Sequence, residues 1–201
     1  MANNRWNFER GSPRRPQAQG QVSFEPIQKR HKRQEFDCGN QELNHYLSRY
    51  ARQNDVKGIN KAFVATRSQT PLKIDGYYTI SSSTIDFASL PKNIQHLARR
   101  SLASYADAGF ERKIPNYPIP AALIGRLAID RSCQGQGLGT ELLVNALIRI
   151  VKASKEIGIY AVRVDAINDR AKQFYLKHEF IPFEDAPLSL FLPIKAIAFI
   201  E

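Results

Sequence analysis

The chain has 201 residues, 43% hydrophobic and 24% charged, which predicts one globular domain with a flexible end and excludes wholesale disorder, a collagen-like repeat and a coiled coil. Lys and Arg number 29 against 19 Asp and Glu, a net charge of +10 that points to an anionic partner: nucleic acid, a phosphorylated cofactor or an acidic protein. Two cysteines, Cys38 and Cys133, are too few for a disulfide framework and lack partners at metal-ligand spacing, so free thiols in a reducing cytoplasm and no bound metal are expected.

Residues 1–22 read as a basic flexible tail and 23–201 as a single domain. The stretch from Gly11 to Gly20 has no periodicity and little to bury. Eight Lys and Arg against two Glu fall before residue 34, so this end carries most of the net charge and is either a solubilising tail or an interaction arm. It has no apolar signal region. The best apolar run, Pro120 to Ile129, is broken by Arg126 and far short of the roughly 20 residues of a membrane span, so no membrane association is expected.

Val22–Ile27 predicts a first strand. Asn40 caps a helix whose apolar residues recur at 43, 46, 47, 50 and 51. Lys61–Thr66 and Ile74–Ile80 predict two strands joined as a hairpin around Ser68–Lys73. Pro91–Tyr105 has helical spacing. Ile114–Pro120 holds three prolines and is expected to be irregular. Ala121–Asp130 predicts an apolar strand. A glycine-rich turn follows at 135–139, then a helix over Thr140–Ile157 that Gly158 ends. Tyr160–Ala166 predicts a strand, Asn168 opens a helix to about His178, and Leu188–Ile200 supplies one or two final strands. The order is that of an α/β domain around one mixed sheet.

Gln134-Gly135-Gln136-Gly137-Leu138-Gly139 sits between a strand and a strong helix. Glycines let backbone N–H groups converge, and the helix start adds unpaired donors and a positive dipole end, which together suit a pyrophosphate. No Gly-Lys-Ser/Thr follows, so it is not a Walker loop, and its G-x-G-x-G spacing departs from a dinucleotide fingerprint.

These residues resemble the acetyl-CoA loop of GNAT superfamily acetyltransferases. Ala171-x-x-Phe174-Tyr175-x-x-x-Glu179-Phe180, about 35 residues on, resembles a second motif of that superfamily. Three further stretches are similar to GNAT-type toxins of bacterial toxin–antitoxin pairs: Phe36-Asp37-Cys38-Gly39-Asn40-x-x-Leu43-x-x-Tyr46-Leu47, Gly76 to Ser81, and Tyr117 to Asp130. The resemblance implies the GNAT fold, a central mixed, mostly antiparallel sheet flanked by helices. It implies acetyl-CoA as co-substrate, the α-amine of aminoacyl-tRNA as acceptor, a small DNA-binding antitoxin, a homodimer and a cytoplasmic location. Glu179 stands where the family has glycine, and Pro91–Ile114 is longer than the family suggests.

Within that resemblance Tyr175 is the expected catalytic acid. Gln134, Gly135, Gln136, Gly137, Leu138, Gly139 and Thr140 are expected to hold the pyrophosphate, and the backbone of Leu127, Ala128 and Ile129 the pantetheine arm. Asn168 either touches the cofactor or caps its helix. Arg126 is either ion-paired or holds a phosphate or the acceptor. Tyr77, Arg99 and Arg100 are further acceptor-side candidates, and Lys29, Arg30, Lys32, Arg33, Arg112 and Lys113 are candidates for phosphate contacts. Cys133 has no basic partner nearby in sequence, which favours direct transfer over an acetyl-cysteine. The four histidines show no triad spacing and are expected at the surface. Two other readings stay open: an N-acetyltransferase acting on a small amine or a protein N-terminus, and a non-catalytic cofactor- or nucleic-acid-binding module.

Overall fold

The computed structural model describes residues 20–86, 89–90 and 118–197. The helix expected over Pro91–Tyr105, and with it Arg99 and Arg100, lies outside the described residues. Among the described residues no helix is long and apolar enough to cross a membrane.

Seven strands form one sheet in the order β1-β2-β3-β4-β5-β7-β6. They are β1 (Val22–Pro26), β2 (Lys61–Arg67), β3 (Gly76–Ile85), β4 (Ile119–Ile129), β5 (Ala161–Asp165), β6 (Ile181–Pro182) and β7 (Ser189–Pro193). Every neighbouring pair is antiparallel except β4 with β5. That one parallel pair needs a crossover, which α3 (Leu138–Ser154) provides. This is the expected mixed, mostly antiparallel sheet. Pro120 is drawn into β4 rather than lying in an irregular stretch.

The alternating apolar face of α3 packs Leu138, Leu142, Leu143, Ala146, Leu147 and Ile150 into the main core, against Ile124, Val162 and Val164 of the sheet. The other sheet face is covered by a helical arm: α1 (Gln41–His45), a π-helical turn (Tyr46–Tyr50) and α2 (Ala51–Val56), burying Tyr46, Leu47 and Ala51 against Val64, Tyr77 and Ala128. Asn40 caps α1 as expected, its side-chain oxygen accepting from the Leu43 amide at 3.0 Å. The remaining helices are α4 (Asp169–Lys177) and the short α5 (Ile194–Ile197).

Several expectations are corrected. α3 ends with Lys155 as its cap, before Gly158, whose φ is not positive. Residues 194–197 are helical, since a short apolar run has no period to tell helix from strand. On α3, Asn145 and Arg149 are tied to the sheet. The Tyr78 hydroxyl donates to Asn145 Oδ1 at 2.6 Å, Arg149 Nε donates to that hydroxyl at 2.9 Å, and the guanidinium lies 4.0 Å over Phe63. His31 is buried, accepting the Gln28 amide on Nδ1 and facing Glu25 with Nε2.

Candidate active site

β4 and β5 pair only from Ala121–Ile124 against Ala161–Val164. Beyond that point the two strands part for a visible reason. The β3–β4 register shifts by one residue, with Thr79 opposite Arg126 and Ile80 opposite Ile124, so Gly125 is bulged. A bulge bends its strand and increases its twist. β4 follows β3, whereas β5 stays with β7 to Asp165. The β4 backbone at Leu127, Ala128 and Ile129 therefore has no strand partner on the β5 side. Leu127 and Ile129 point into the core beneath α3, and Ala128 into the core beneath the helical arm.

The open edge leads to the glycine-rich loop. Gly135 and Gly137 take φ of 74° and 85°, the left-handed region that glycine enters without a Cβ penalty. A Cβ at either would meet nothing within 4 Å, so the loop rims open space. Gly137 is the N-cap of α3 and provides no side-chain cap, which leaves first-turn N–H groups for an outside acceptor. Thr140 differs: its amide donates to Gly137 O at 3.0 Å, leaving its exposed hydroxyl. Gly139 packs closely; a Cβ there would sit 3.0 Å from Ile129 Cδ1 and 3.6 Å from Phe174. Leu138 is buried as an anchor, and Gln136 Nε2 donates back to Ser132 O. The loop thus fits a diphosphate, and the partnerless edge of β4 fits an extended amide-containing arm.

A latch from the start of the domain holds this loop. Asp130 accepts the Asp37 amide at 3.1 Å and the Ser132 amide and hydroxyl on its other oxygen. Asp37 accepts from the Gly39 amide and Asn44 Nδ2 and pairs with Arg131 at 3.1 Å. Gln134 Nε2 donates to the carbonyls of Cys38 and Ile129, each at 3.1 Å. Burial opposes ionisation of Asp130, but the Ser132 and Asp37 donors outweigh it and hold its carboxyl below the usual range. Sequence reasoning singled out the Asp37–Asn40 motif without assigning it this job; the acid at 130, just past an apolar strand, was the available signal.

Tyr175 is buried on α4 between Phe174 and Phe180, with ring centroids 5.2 and 5.4 Å away. Burial pushes its phenol above the ordinary value, and Asp165 adds to that. Phe174 against Gly139 sets this helix beside the loop. Asn168 caps α4, its Oδ1 accepting from the Ala171 amide at 2.9 Å.

Arg126 lies flat over the Tyr46 ring, its guanidinium carbon 3.6 Å from the centroid, and makes no ion pair among the described residues. Tyr77 is corrected: it is wholly buried, its hydroxyl donates to Leu43 O at 2.9 Å, and it lines no open cleft. Cys133 does meet a cation in space, with Arg67 Nη2 3.8 Å from its sulfur. Burial nevertheless raises its thiol, which keeps it a poor nucleophile. Of the basic candidates, Arg30 pairs with Glu25 and Lys32 with Glu35; Arg112 and Lys113 lie outside the described residues. A cavity of about 560 Å³ lies at the far end of α3, bordered by Asn60, Phe63, Ser82 and Ile157, away from the loop. Among the described residues no group of three or more His, Cys, Asp or Glu is placed to hold a metal.

Residues 96–182 match the acetyltransferase (GNAT) domain family. The chain is 33% identical over 160 residues to the tRNA-acetylating toxin of Mycobacterium tuberculosis (strain ATCC 25618 / H37Rv), covering 80% of this chain and 84% of the relative. It is 29% identical over 183 residues to a probable toxin TacT of Sinorhizobium fredii (strain NBRC 101917 / NGR234), covering 87% and 92%. Among solved structures, AtaT complexed with acetyl-methionyl-tRNAfMet superposes with a TM-score of 0.76 at 31% identity, over 90% of this chain and 99% of that one. AtaTR bound with AcCoA gives 0.73 at 32%, over 89% and 97%. A Tyr-to-Phe mutant of AtaT bound to the C-terminus of the antitoxin AtaR gives 0.69 at 30%, over 89% and 97%.

Proposed function

Since the chain belongs to the GNAT acetyltransferase family, we propose that it is a toxin that transfers the acetyl group of acetyl-CoA to the α-amine of an aminoacyl-tRNA and so blocks translation. The observation that carries this reading is the partnerless edge of β4 running into the positive-φ glycine loop at the start of α3, in a chain similar to a tRNA-acetylating toxin over most of its length. Acetyl-CoA supplies the activated acyl group as a thioester.

The protein's part is placement and one proton. The amides of the Gln134–Gly139 loop and the dipole end of α3 hold the diphosphate, with the Thr140 hydroxyl beside them. The backbone of Leu127, Ala128 and Ile129 holds the pantetheine arm as an added strand. An α-amine has a reference pKa near 7.7, so roughly a sixth is neutral at pH 7 and attack needs little general-base help. The demand falls on the leaving sulfur, and Tyr175 donates its hydroxyl proton there. Because burial raises that phenol, it stays protonated through the working pH range. Asn168 starts the helix that carries Tyr175, and its Nδ2 is left to donate to the cofactor.

By the same resemblance the partners are an antitoxin and a second copy of the chain, and the location is the cytoplasm. The test uses labelled acetyl-CoA with a pool of charged tRNA. Acid-precipitable label that ribonuclease destroys, and that Tyr175→Phe abolishes, is the expected result. Label on proteins or small amines alone overturns the tRNA acceptor.

A further inference from the structure

The helical arm on the face of β4 opposite α3 contains a feature that neither the cofactor slot nor the latch uses. Between α1 and α2 the chain makes a π-helical turn, with the Ala51 amide donating to Tyr46 O. Such turns insert one extra residue into a helix and recur at functional sites. The extra residue turns Tyr46 inward, where its hydroxyl accepts from Asn60 Nδ2 at 2.6 Å and its ring carries Arg126. Tyr50, at the end of the turn, leans against Tyr46 with centroids 6.4 Å apart and against His45 edge-on at 5.4 Å. Arg126, Tyr46, Tyr50 and His45 thus form a contiguous strip of one guanidinium and three rings.

The inner end of the strip belongs to β4, on the strand whose backbone forms the open slot. The outer end is exposed: Tyr50 keeps 47% of its surface, and His45 and Arg49 beside it are exposed as well. Aromatic rings held by ring contacts, with the guanidinium groups of Arg126 and Arg49 beside them, suit a ligand with flat π-faces on an anionic backbone. That is the chemistry of unpaired nucleotides.

Resting on the acetyltransferase reading above, we infer that the strip from Arg126 through Tyr46 to Tyr50 and His45 is a stacking platform for the unpaired 3′ end of the RNA that carries the acceptor amine. One or two terminal bases lie on Tyr50 and His45. Arg126 and Arg49 face the adjoining phosphates. The base-paired stem is left to other basic surfaces. Stacking tolerates any base, so the platform recognises an unpaired end rather than a sequence.

The test uses the full-length protein and two labelled RNAs, a hairpin with an unpaired CCA 3′ end and the same hairpin with a blunt end. Wild type is expected to bind the CCA hairpin more tightly. The double variant Tyr50→Ala, His45→Ala is expected to bind it about tenfold more weakly and to raise KM for charged tRNA by a similar factor. Tyr50→Phe and Tyr50→Trp, which keep a ring, are expected to retain binding, whereas a merely structural tyrosine would not be rescued by Trp. Equal binding of both hairpins by wild type, or a double variant within about twofold of wild type, overturns the platform. If wild type acetylates charged tRNA and the variants match it, the platform alone falls. If wild type neither binds nor acetylates RNA yet acetylates another amine, the tRNA reading falls with it.

Discussion

Asp130, at the foot of β4, accepts the backbone N–H of Asp37 from 93 residues upstream, at 3.1 Å. One carboxylate thereby joins the entry of the glycine loop to the segment that leads into α1. Hydrogen bonds to an ionised group are worth about 1.5–3 kcal/mol net. Asp130→Asn is expected to cost about 2 kcal/mol of stability at pH 7 and to weaken acetyl-CoA binding, because the loop loses its tether. The folded carboxyl lies below its unfolded value, so this stability is present above about pH 4 and is lost as pH falls through the folded pKa. Denaturant titrations from pH 7 down to pH 3 check this: the gap between wild type and variant narrows at the acid end.

Tyr175→Phe removes the proton donor and leaves the packing between Phe174 and Phe180. We expect kcat to fall by about 10²–10⁴-fold with acetyl-CoA affinity unchanged. The wild-type rate is expected to climb with pH as the acceptor amine loses its proton, then to level. The raised phenol adds no descending limb below about pH 10. A fall between pH 8 and 9 that Tyr175→Phe removes would overturn the raised phenol, and a Tyr175→Phe variant with wild-type kcat would overturn the proton donor.

Gly76 and Gly137 separate two reasons for glycine. A Cβ at Gly76 would lie 2.7 Å from Leu142 Cδ1 and 3.1 Å from the Ala128 carbonyl, inside the packed core. Gly76→Ala is expected to cost about 1–3 kcal/mol with the site chemistry intact in what remains folded. Gly137→Ala has room and costs only the left-handed backbone, about 1 kcal/mol, but places a methyl on the rim that faces the diphosphate. Thermal melts paired with acetyl-CoA titrations distinguish them: Gly76→Ala lowers Tm most, and Gly137→Ala raises Kd most.

Buried Arg67 and Asp75 meet at 2.6 Å near the β2–β3 turn, with Arg67 also against Cys133. Removing one partner of a buried pair costs about 3–5 kcal/mol, because the other charge is left unpaired. Arg67→Met is expected to destabilise by that order, and the double change Arg67→Met, Asp75→Leu by less than the single change. A double-mutant cycle by denaturant unfolding measures the difference.

The second half of the chain was readable because its signals are local. Apolar strand, glycine turn and amphipathic helix follow one another within 35 residues, and the position of each loop residue follows from them. The latch needed Asp37 and Asp130 to be seen together, which no periodicity reveals. The π-helical turn left the 3.6-residue pattern nearly undisturbed, so the arm read as one regular helix. Paired aromatics in a strand pack more often than they line a cleft, and Tyr77 packs, although its place in a strand does not tell which face is open. Cys133 found Arg67 only through the folding of β2 onto the loop. Asn168 caps its helix through Oδ1 at 2.9 Å, a role its place before a helical run predicts.

Glu179 holds a φ of 66° just past α4. A side chain there costs roughly 1 kcal/mol that glycine avoids, offset in part by the greater freedom of glycine in the unfolded chain. Glu179→Gly is expected to raise stability by up to about 1 kcal/mol, read as a small rise in Tm, with kcat unchanged.

The parting of β4 from β5 leaves a sheet with an edge in its middle. An unpaired edge is a template for any extended chain, including a neighbour's. An occupant of that edge also binds the folded chain and not the unfolded one. At a hundred times its Kd it adds about 2.7 kcal/mol to the unfolding free energy by mass action. Acetyl-CoA therefore stabilises the chain that it supplies with an acyl group, and the edge it fills is closed to a neighbouring strand.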